Sequence, residues 1–325
     1  MPDGSLRSHN ELSEARLSVV IPTYNRKEIL RKTLHAYRSQ SPQREIVEIL
    51  VVDDGSTDGT NSDAAEWSEG TVIPIRYLRQ EKKGAAAARN FGIREARGGL
   101  VLFGDDDIIP GPDLVAEHLA WHKKYPDPSV CVLGHVAWSP EVHPTPFMEW
   151  LGMDGVLFGF HSLVPEGEVD FRFFYSCNIS VKIDFLIKNG TFDEDFLGCG
   201  FEDIELGYRL QKRGARVLYN PKAVGYHYKR MSFADACRRA EQVALARRVF
   251  ETKEAGIYLA ELERREQAKP GRQVRRIVVR CLVRALAPLE LLLDSHIRLP
   301  RRMYRAFYNY RASKLERRLS GIGQK

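Results

Sequence analysis

Three consecutive carboxylates, Asp105, Asp106 and Asp107, follow the apolar run Leu100-Val-Leu-Phe-Gly104. An apolar run of this length predicts a buried strand, and open parallel sheets bind ligands at the carboxyl ends of their strands. Like charges packed together repel, so a cation beside these aspartates would be stabilising. The alternative is a solvated turn that caps a helix, because Asp is common in loops and at helix starts.

Polar clusters also end two other predicted strands. Thr23-Tyr24-Asn25 follows the predicted strand 17–22, and Asp53-Asp54 follows the predicted strand 46–52. The carboxyl ends of parallel strands meet at one edge, so we expect the three clusters to converge where a nucleotide would lie. No glycine-rich phosphate loop follows these strands. Because carboxylates repel phosphates, a divalent cation, Mg²⁺ or Mn²⁺, is expected to bridge the two groups.

A second acidic pair, Glu202 and Asp203, stands at the start of a helix predicted over 202–213. The positive end of the helix dipole favours the ionised carboxylate. An ionised carboxylate beside a metal–diphosphate site can act as a general base. The alternative is that the pair only caps the helix.

His118 and His122 have the spacing of zinc-binding histidines on a helix, but Leu119 stands where zinc hydrolases have glutamate. We therefore expect these two histidines on an exposed helix face. The five cysteines are scattered and form no Cys-x-x-Cys pair, which disfavours a disulfide framework and fits a reducing compartment.

Strands and helices alternate along most of the chain. Apolar runs predict strands over 17–22, 46–52, 72–78, 100–103, 130–137 and 217–219. Helical patterns predict helices over 27–39, 84–96, 113–123 and 202–213. This alternation predicts an α/β fold with a mostly parallel sheet flanked by helices. Pro74 places its strand at a sheet edge, and the looser segment 139–170 is expected to be a mobile or substrate-facing loop.

Six motifs in order resemble those of the family 2 glycosyltransferases. They are Leu17-Ser-Val-Val-Ile-Pro-Thr-Tyr-Asn-Arg26, Val51-Val-Asp-Asp-Gly-Ser-Thr-Asp58, Ala88-Arg-Asn-Phe-Gly92, Phe103-Gly-Asp-Asp-Asp107, Phe192-Asp-Glu194 and Phe201-Glu-Asp203. The resemblance covers residues 15–230 and implies the Rossmann-like GT-A fold. It also implies a metal-dependent, inverting transferase. Such an enzyme moves a sugar from a nucleoside diphosphate donor to a hydroxyl of a glycan or lipid-linked acceptor.

The resemblance further implies roles for individual residues. It assigns nucleotide or substrate binding to Pro22, Thr23, Tyr24, Arg26, Asp53, Asp54, Arg89, Asp105, Asp106 and Glu202. Asp105 and Asp107 would form the DXD motif that holds the metal, and Asp203 would be the catalytic base. Gly104 replaces the usual apolar residue and leaves the acids intact. His227 would be a further metal ligand, unless it is a partly buried histidine with an ordinary hydrogen bond.

The positive charge is concentrated at the carboxyl end of the chain. Residues 271–325 hold fourteen Lys and Arg against three acids, a net of +11 in a chain of net charge +6. A basic amphipathic helix over 274–293, interrupted at Pro288, predicts attachment to an anionic membrane surface. The alternative is that its apolar side docks on the catalytic domain or on a second subunit. We do not expect nucleic acid as a partner, and the pattern does not fix the oligomeric state.

These patterns divide the chain into three parts. We predict a disordered tail over 1–14, a GT-A domain over 15–231 and a helical region over 232–325 that is basic and amphipathic from about 271. The polar amino terminus lacks a signal-peptide pattern, and no uncharged apolar stretch is long enough to span a membrane. We therefore expect a cytoplasmic protein, with contact at most at the inner face of the membrane.

Two other functions are weighed against glycosyl transfer. A nucleotidyltransferase has a related sheet and metal carboxylates, but it would need a phosphate-gripping loop after the first strand, and Pro22-Thr-Tyr-Asn-Arg26 is not glycine-rich. It would also leave Glu202 and Asp203 without a role. A non-catalytic membrane-surface adaptor is disfavoured by the intact acidic motifs.

Overall fold

The computed structural model describes residues 16–322 except 65–66, 68–69, 71, 155–156, 199, 268–282 and 284–285. Within this part of the chain, nine strands form one sheet. They are β1 (Leu17–Thr23), β2 (Ile46–Asp53), β3 (Ile75–Arg79), β4 (Leu100–Gly104), β5 (Ile108–Pro110), β6 (Val130–Trp138), β7 (Glu168–Val169), β8 (Asn178–Lys182) and β9 (Arg216–His227). Their order is β3-β2-β1-β4-β8-β6-β9-β5, with β7 also paired to β9.

Parallel pairing joins the four amino-terminal strands of this order, β3, β2, β1 and β4, as predicted. It also joins β6 to β9. β8 is antiparallel to both β4 and β6, and β5 and β7 are antiparallel to β9. The edge position predicted from Pro74 is confirmed, although β3 begins at Ile75, three residues after the predicted start at 72. Pro74 has no N–H to donate, but its carbonyl accepts a hydrogen bond from Ile49 N at 2.9 Å.

Ten helices surround the sheet in the described residues. They are α1 (Lys27–Arg38), α2 (Thr60–Asp63), α3 (Ala85–Glu95), α4 (Leu114–Lys124), α5 (Pro146–Met153), α6 (Ile183–Asn189), α7 (Glu202–Lys212), α8 (Phe233–Thr252), α9 (Glu254–Gln267) and α10 (Arg301–Ile322). The segment 139–170, expected to be a loop, contains α5 and two short 3₁₀ helices. The helical region expected after Met231 begins at Phe233.

Both faces of the sheet are buried under helices. On one face, α1 packs Leu30 and Leu34 against β1 and β2. On the other face, α3 and α7 pack Ala88 and Leu206 against strands that include β4 and β8. Strands buried on both faces read as continuous apolar runs, which explains why the strand pattern of the amino-terminal half was visible in the sequence.

The exposed positions expected for His118 and His122 are wrong, because both side chains are buried against β8. Nδ1 of His118 lies 2.8 Å from Ser180 Oγ, and its Nε2 lies 2.9 Å from Asn178 Oδ1. Nε2 of His122 also lies 2.8 Å from Ser180 Oγ. Burial lowers the pKa of His118 to about 4 and that of His122 to about 3. The pair is therefore a neutral, hydrogen-bonded part of the core.

Helix α10 packs on the rest of the protein through α5. Tyr304 and Phe307 of α10 are buried in one cluster with Phe147 and Trp150 of α5. The rings of Trp150 and Tyr304 stack with centroids 5.9 Å apart. Arg298 also forms an ion pair across this contact with Glu149 on α5, at 2.6 Å. Arg298 and α10 therefore dock on the rest of the protein.

Most of the amphipathic helix predicted over 274–293 lies outside the described residues. Its described end contains a 3₁₀ helix, Ala287–Leu292, with Pro288 in the first turn. Leu293 is buried against α5 and α10, whereas Leu291 is exposed. In the described residues, no helix is long and apolar enough to cross a membrane.

Candidate active site

The three polar strand ends meet at the mouth of a cavity of about 600 Å³. Parallel pairing sets Thr23 at the end of β1 beside Asp53 at the end of β2. The amide of Asp54 donates to the carbonyl of Thr23 at 2.9 Å, and Oγ1 of Thr23 donates to Asp106 Oδ2 at 2.8 Å. The strand ends therefore converge as predicted.

The structure brings nearly all the residues assigned to the site into this cavity. Its lining includes Pro22, Thr23, Tyr24, Arg26, Asp54, Arg89, Asp105, Asp106, Asp107, Glu202, Asp203 and His227. Asp53 does not line it. The buried carboxylate of Asp53 accepts a hydrogen bond from Ser56 N at 2.7 Å and another from the Tyr77 hydroxyl. Successive side chains of a strand point to opposite faces, so Asp53 fixes the turn after β2 and leaves the cavity to Asp54.

Asp54 ties the loop before α3 to the rim of the cavity. Its carboxylate accepts hydrogen bonds from the amides of Lys83 and Gly84 at 2.7 and 2.9 Å, and from Gln80 Nε2 at 2.8 Å. These bonds hold the loop beside the end of β2, and Ala85, the first residue of α3, lines the cavity.

A guanidinium group lies directly on the aspartate triplet. Nη1 of Arg26 is 2.8 Å from Asp106 Oδ1 and 2.6 Å from Asp107 Oδ2. Burial raises the pKa of Asp106, the charge of Asp107 adds to this, and Arg26 opposes it. Burial alone would also raise the pKa of Asp107, but His227 and Arg26 outweigh it and hold that pKa below its usual range. Asp107 is therefore the member of the pair that stays ionised.

Asp107 and His227 could hold a divalent cation together with donor phosphates. Oδ2 of Asp107 lies 3.5 Å from Nε2 of His227, whose ring stacks on Trp138 with centroids 5.0 Å apart. Among the described residues, no three His, Cys, Asp or Glu side chains form a metal cluster. Mg²⁺ sites commonly use one or two protein carboxylates and complete their coordination with water and substrate phosphates. The donor set fits a cation of this type.

Arg89 joins the aspartate triplet to the acidic start of α7. This buried residue lies with Nη2 2.8 Å from Asp105 Oδ1 and Nη1 3.2 Å from Glu202 Oε1. Burial raises the pKa of Asp105, and Arg89 opposes the rise. The side chain of Arg89 therefore holds Asp105 and Glu202 in fixed positions on one wall of the cavity.

Asp203 is half-buried in the first turn of α7 and faces the same cavity. Burial and then the negative charge of Glu202 raise the pKa of Asp203 to about 7, against the opposing charge of Arg89. The amide of Ile204 donates to Asp203 Oδ1 at 2.8 Å. A carboxylate with a pKa near neutrality is suited to accept a proton from a substrate hydroxyl.

Part of the lining comes from later segments of the chain. Phe158 lies in the segment 139–170, which is expected to be mobile or to face substrate. Sequence reasoning missed Tyr175 and Cys177 before β8, Arg239 on α8 and Tyr308 on α10. On α8 the lining residues are 236, 239, 240 and 243, which follow the spacing of one helix face. That periodicity is a signal in the sequence, but only the packing of α8 shows that this face closes the cavity.

A family model described as "Glycosyl transferase family 2" matches residues 18–152. The match includes the ends of β1, β2 and β4 and their polar clusters. Over these residues the chain is similar to glycosyl transferase family 2. Asp203 and His227 lie beyond the matched residues but line the same cavity.

Curated relatives extend the similarity beyond this segment. Validoxylamine A glucosyltransferase of Streptomyces hygroscopicus subsp. jinggangensis is 37% identical over 233 residues, which are 64% of this chain and 54% of the relative. Chondroitin synthase of Escherichia coli is 28% identical over 241 residues, 65% of this chain and 34% of the relative. The chain thus spans about half the length of the first of these relatives, and less of the second.

Solved structures show the same GT-A fold. A mannosyltransferase from Pyrobaculum calidifontis, in complex with GDP-Man and Mn²⁺, superposes with a TM-score of 0.60 at 22% identity and covers 95% of this chain and 88% of its own. S. aureus TarS 1–349, in complex with UDP, superposes with a TM-score of 0.54 at 17% identity and covers 94% and 92%. The predicted GT-A fold is therefore confirmed for this chain.

Proposed function

We propose that this protein is an inverting glycosyltransferase with Asp203 as its general base. It moves a sugar from a nucleoside diphosphate donor to a hydroxyl of a glycan or lipid-linked acceptor. The observation that carries the proposal is that Asp203 and the triplet Asp105–Asp107 line one cavity. A proton acceptor and a site for the donor diphosphate are both needed for a single displacement.

The proposed reaction is one displacement at the anomeric carbon. Asp203 takes the proton of the acceptor hydroxyl while that oxygen forms a bond to the anomeric carbon. The bond from this carbon to the diphosphate breaks, and the diphosphate leaves with the electron pair. Attack from the opposite face inverts the anomeric configuration, as in inverting hydrolases that use water. Arg89 holds the acids of the site in place.

We further propose that Asp107 and His227 hold a divalent cation, with Asp105 nearby. Such an ion, when bound, neutralises charge on the leaving diphosphate. The carboxylate oxygens suit Mg²⁺ or Mn²⁺, and the similar mannosyltransferase is in complex with Mn²⁺. The guanidinium of Arg26 is paired with the Asp107 carboxylate, so it must move away when a cation binds there.

The donor is proposed to be a UDP- or GDP-linked hexose, because similar structures are in complex with UDP or GDP-Man and a relative is named a glucosyltransferase. Similarity to a chondroitin synthase supports a role in polysaccharide synthesis. Contact with the inner face of a membrane stays a prediction. Sedimentation of the full-length protein with anionic lipid vesicles at low salt tests it.

A donor panel tests the proposed activity. The purified protein is incubated with UDP-, GDP- and dTDP-sugars, Mn²⁺ or Mg²⁺ and candidate acceptors, and the released nucleoside diphosphate is measured. A glycosyltransferase releases the diphosphate in step with glycoside formation. A parallel reaction supplies a nucleoside triphosphate and a sugar phosphate in place of the nucleotide sugar, and release of inorganic diphosphate there would indicate a nucleotidyltransferase. Binding without turnover across the panel would favour an adaptor.

A further inference from the structure

The turn before α7, the helix that carries Asp203, has a strained backbone. Phe201, the residue before α7, has φ of +71°, and Gly200 has φ of +102°. Bulky residues rarely adopt a positive φ, and such strain persists only where surrounding contacts hold it. The turn is two residues from Asp203, so whatever holds it also sets the direction in which α7 begins.

The contacts that hold the turn come from α8. The ring of Phe201 stacks on the ring of Phe250, with centroids 4.6 Å apart and an angle of 22° between the planes. Phe250 is 3% exposed and packs with Phe196 and Ala255. Val243 lies two turns before Phe250 on the same face of α8, and its side chain is 3.4 Å from where a Cβ on Gly200 would stand.

Hydrogen bonds carry this turn into the first turn of α7. The carbonyl of Phe201 accepts from Glu205 N at 2.9 Å, and the amide of Gly200 donates to Glu202 Oε2 at 2.8 Å. The bond from Glu205 N to the Phe201 carbonyl spans Asp203. A shift of the Phe201 backbone would therefore move the Asp203 carboxylate relative to the cavity.

We infer that Phe250 is a positioning residue for Asp203: its ring on Phe201 fixes the start of α7 and so places the carboxylate against the acceptor hydroxyl. The role of Asp203 in this inference rests on the proposed function. Helix α8 would then do more than close the cavity, because it also orients the carboxylate that takes the proton. Loss of the ring would slow the chemical step and leave donor binding intact.

The test uses apolar substitutions that remove the ring but keep most of the volume, Phe250→Leu and Phe250→Met. Phe233→Leu is the matched control, since Phe233 is also buried on α8 but packs against Phe147. Phe250→Tyr restores the ring. Each variant is compared by kcat, donor KM, melting temperature and amide hydrogen exchange of residues 202–206.

We expect Phe250→Leu and Phe250→Met to lower kcat roughly tenfold with little change in donor KM, because small misplacements of catalytic groups cost large factors in rate. Phe250→Tyr should recover most of the rate. Faster exchange of the amides at the start of α7 should accompany the loss, while Phe233→Leu leaves that exchange and kcat near wild type. Equal loss of kcat in Phe233→Leu and Phe250→Leu would show that Phe250 only packs the core and does not position Asp203.

Hydrogen exchange separates this inference from the proposed function. If Asp203→Asn keeps full activity, the proposed base is wrong, yet exchange still reports whether Phe250 holds the start of α7. Unchanged exchange at residues 202–206 in Phe250→Leu would overturn the inference even in a fully active glycosyltransferase.

Discussion

Oδ2 of Asp107 lies 3.5 Å from Nε2 of His227. Two contacts between backbones produce this approach. Ile108 is the register partner of His227 in the antiparallel pair of β5 and β9, and the amide of Tyr228 donates to the carbonyl of Asp107 at 2.8 Å. Asp107 and His227 are therefore held together by the sheet, without needing an ion to gather them.

This relationship predicts how divalent cations bind. Asp107→Asn should weaken Mn²⁺ binding, measured by calorimetry with nucleoside diphosphate present, by roughly tenfold or more, and His227→Gln by less. Asp113→Asn, a change at an exposed aspartate, is the control and should leave binding unchanged. EDTA should stop sugar transfer. Turnover that resists EDTA, or normal Mn²⁺ binding by Asp107→Asn, would remove the cation from the proposal.

Arg26 predicts a competition at the same carboxylate. Because its Nη1 lies 2.6 Å from Asp107 Oδ2, a cation must displace the guanidinium before it reaches this oxygen. Arg26→Gln should therefore bind Mn²⁺ several-fold more tightly than wild type in the absence of nucleotide, an effect of about 1 kcal/mol. Arg31→Gln is the control, because Arg31 lies on α1, the helix that follows Arg26, and is paired with Asp63. Equal Mn²⁺ affinity in wild type and Arg26→Gln would show that Arg26 does not compete.

The raised pKa of Asp203 predicts the pH dependence of the reaction. A base must be deprotonated, so kcat/KM should rise with pH through the pKa of Asp203, about 7. Glu202→Gln removes a negative charge that raises this pKa, and the rising limb should move to lower pH. Glu205→Gln is the matched control in the same helical turn, because Glu205 pairs with Arg209. A limb that does not move in Glu202→Gln would contradict the assignment.

The buried histidines of α4 predict a loss of stability in mild acid. His118 and His122 have pKa values of about 4 and about 3 in the folded protein, below the value of about 6.5 for an unfolded histidine. As pH falls below about 6.5, the unfolded chain takes up protons that the folded protein refuses, so the free energy of unfolding decreases.

The limiting slope is about 1.4 kcal/mol per pH unit for each histidine. Urea unfolding followed between about pH 7 and pH 5, above the range in which most carboxylates titrate, measures it. His122→Gln should flatten this dependence, and His35→Gln, at an exposed position, should not. An unchanged slope in His122→Gln would show that His122 is protonated in the folded protein.

The strands that could be predicted from the sequence are those whose burial leaves a continuous apolar run of residues. β1, β2 and β4 lie within a residue of their predicted ends, because strands covered on both faces are continuous apolar runs. β9 extends to His227, well beyond the predicted 217–219, and β5 was not predicted at all. These strands are set by pairing with distant segments, and that pairing leaves no local pattern.

The part of the site formed by the predictable strands could also be predicted, whereas the part formed by distant segments could not. The polar ends of β1, β2 and β4 identified the rim, since parallel strands bring their carboxyl ends together. The direction of the buried Asp53 side chain, away from the cavity, and the lining from Arg239 and Tyr308 were not predicted. They depend on side-chain direction and on the packing of α8 and α10, which only the folded chain reveals. The predicted exposure of His118 was wrong for the same reason, because its partner Ser180 lies on a strand distant in the sequence.

The central claim is that Asp203 accepts the proton of the acceptor hydroxyl, and the Asp203→Asn variant tests it most directly. Asparagine keeps the shape of the side chain but cannot act as a base. Donor binding, measured by calorimetry with Mn²⁺, should match wild type, whereas sugar transfer should fall by roughly 10²- to 10⁴-fold. Transfer at the wild-type rate by Asp203→Asn, with normal donor binding, would contradict the account.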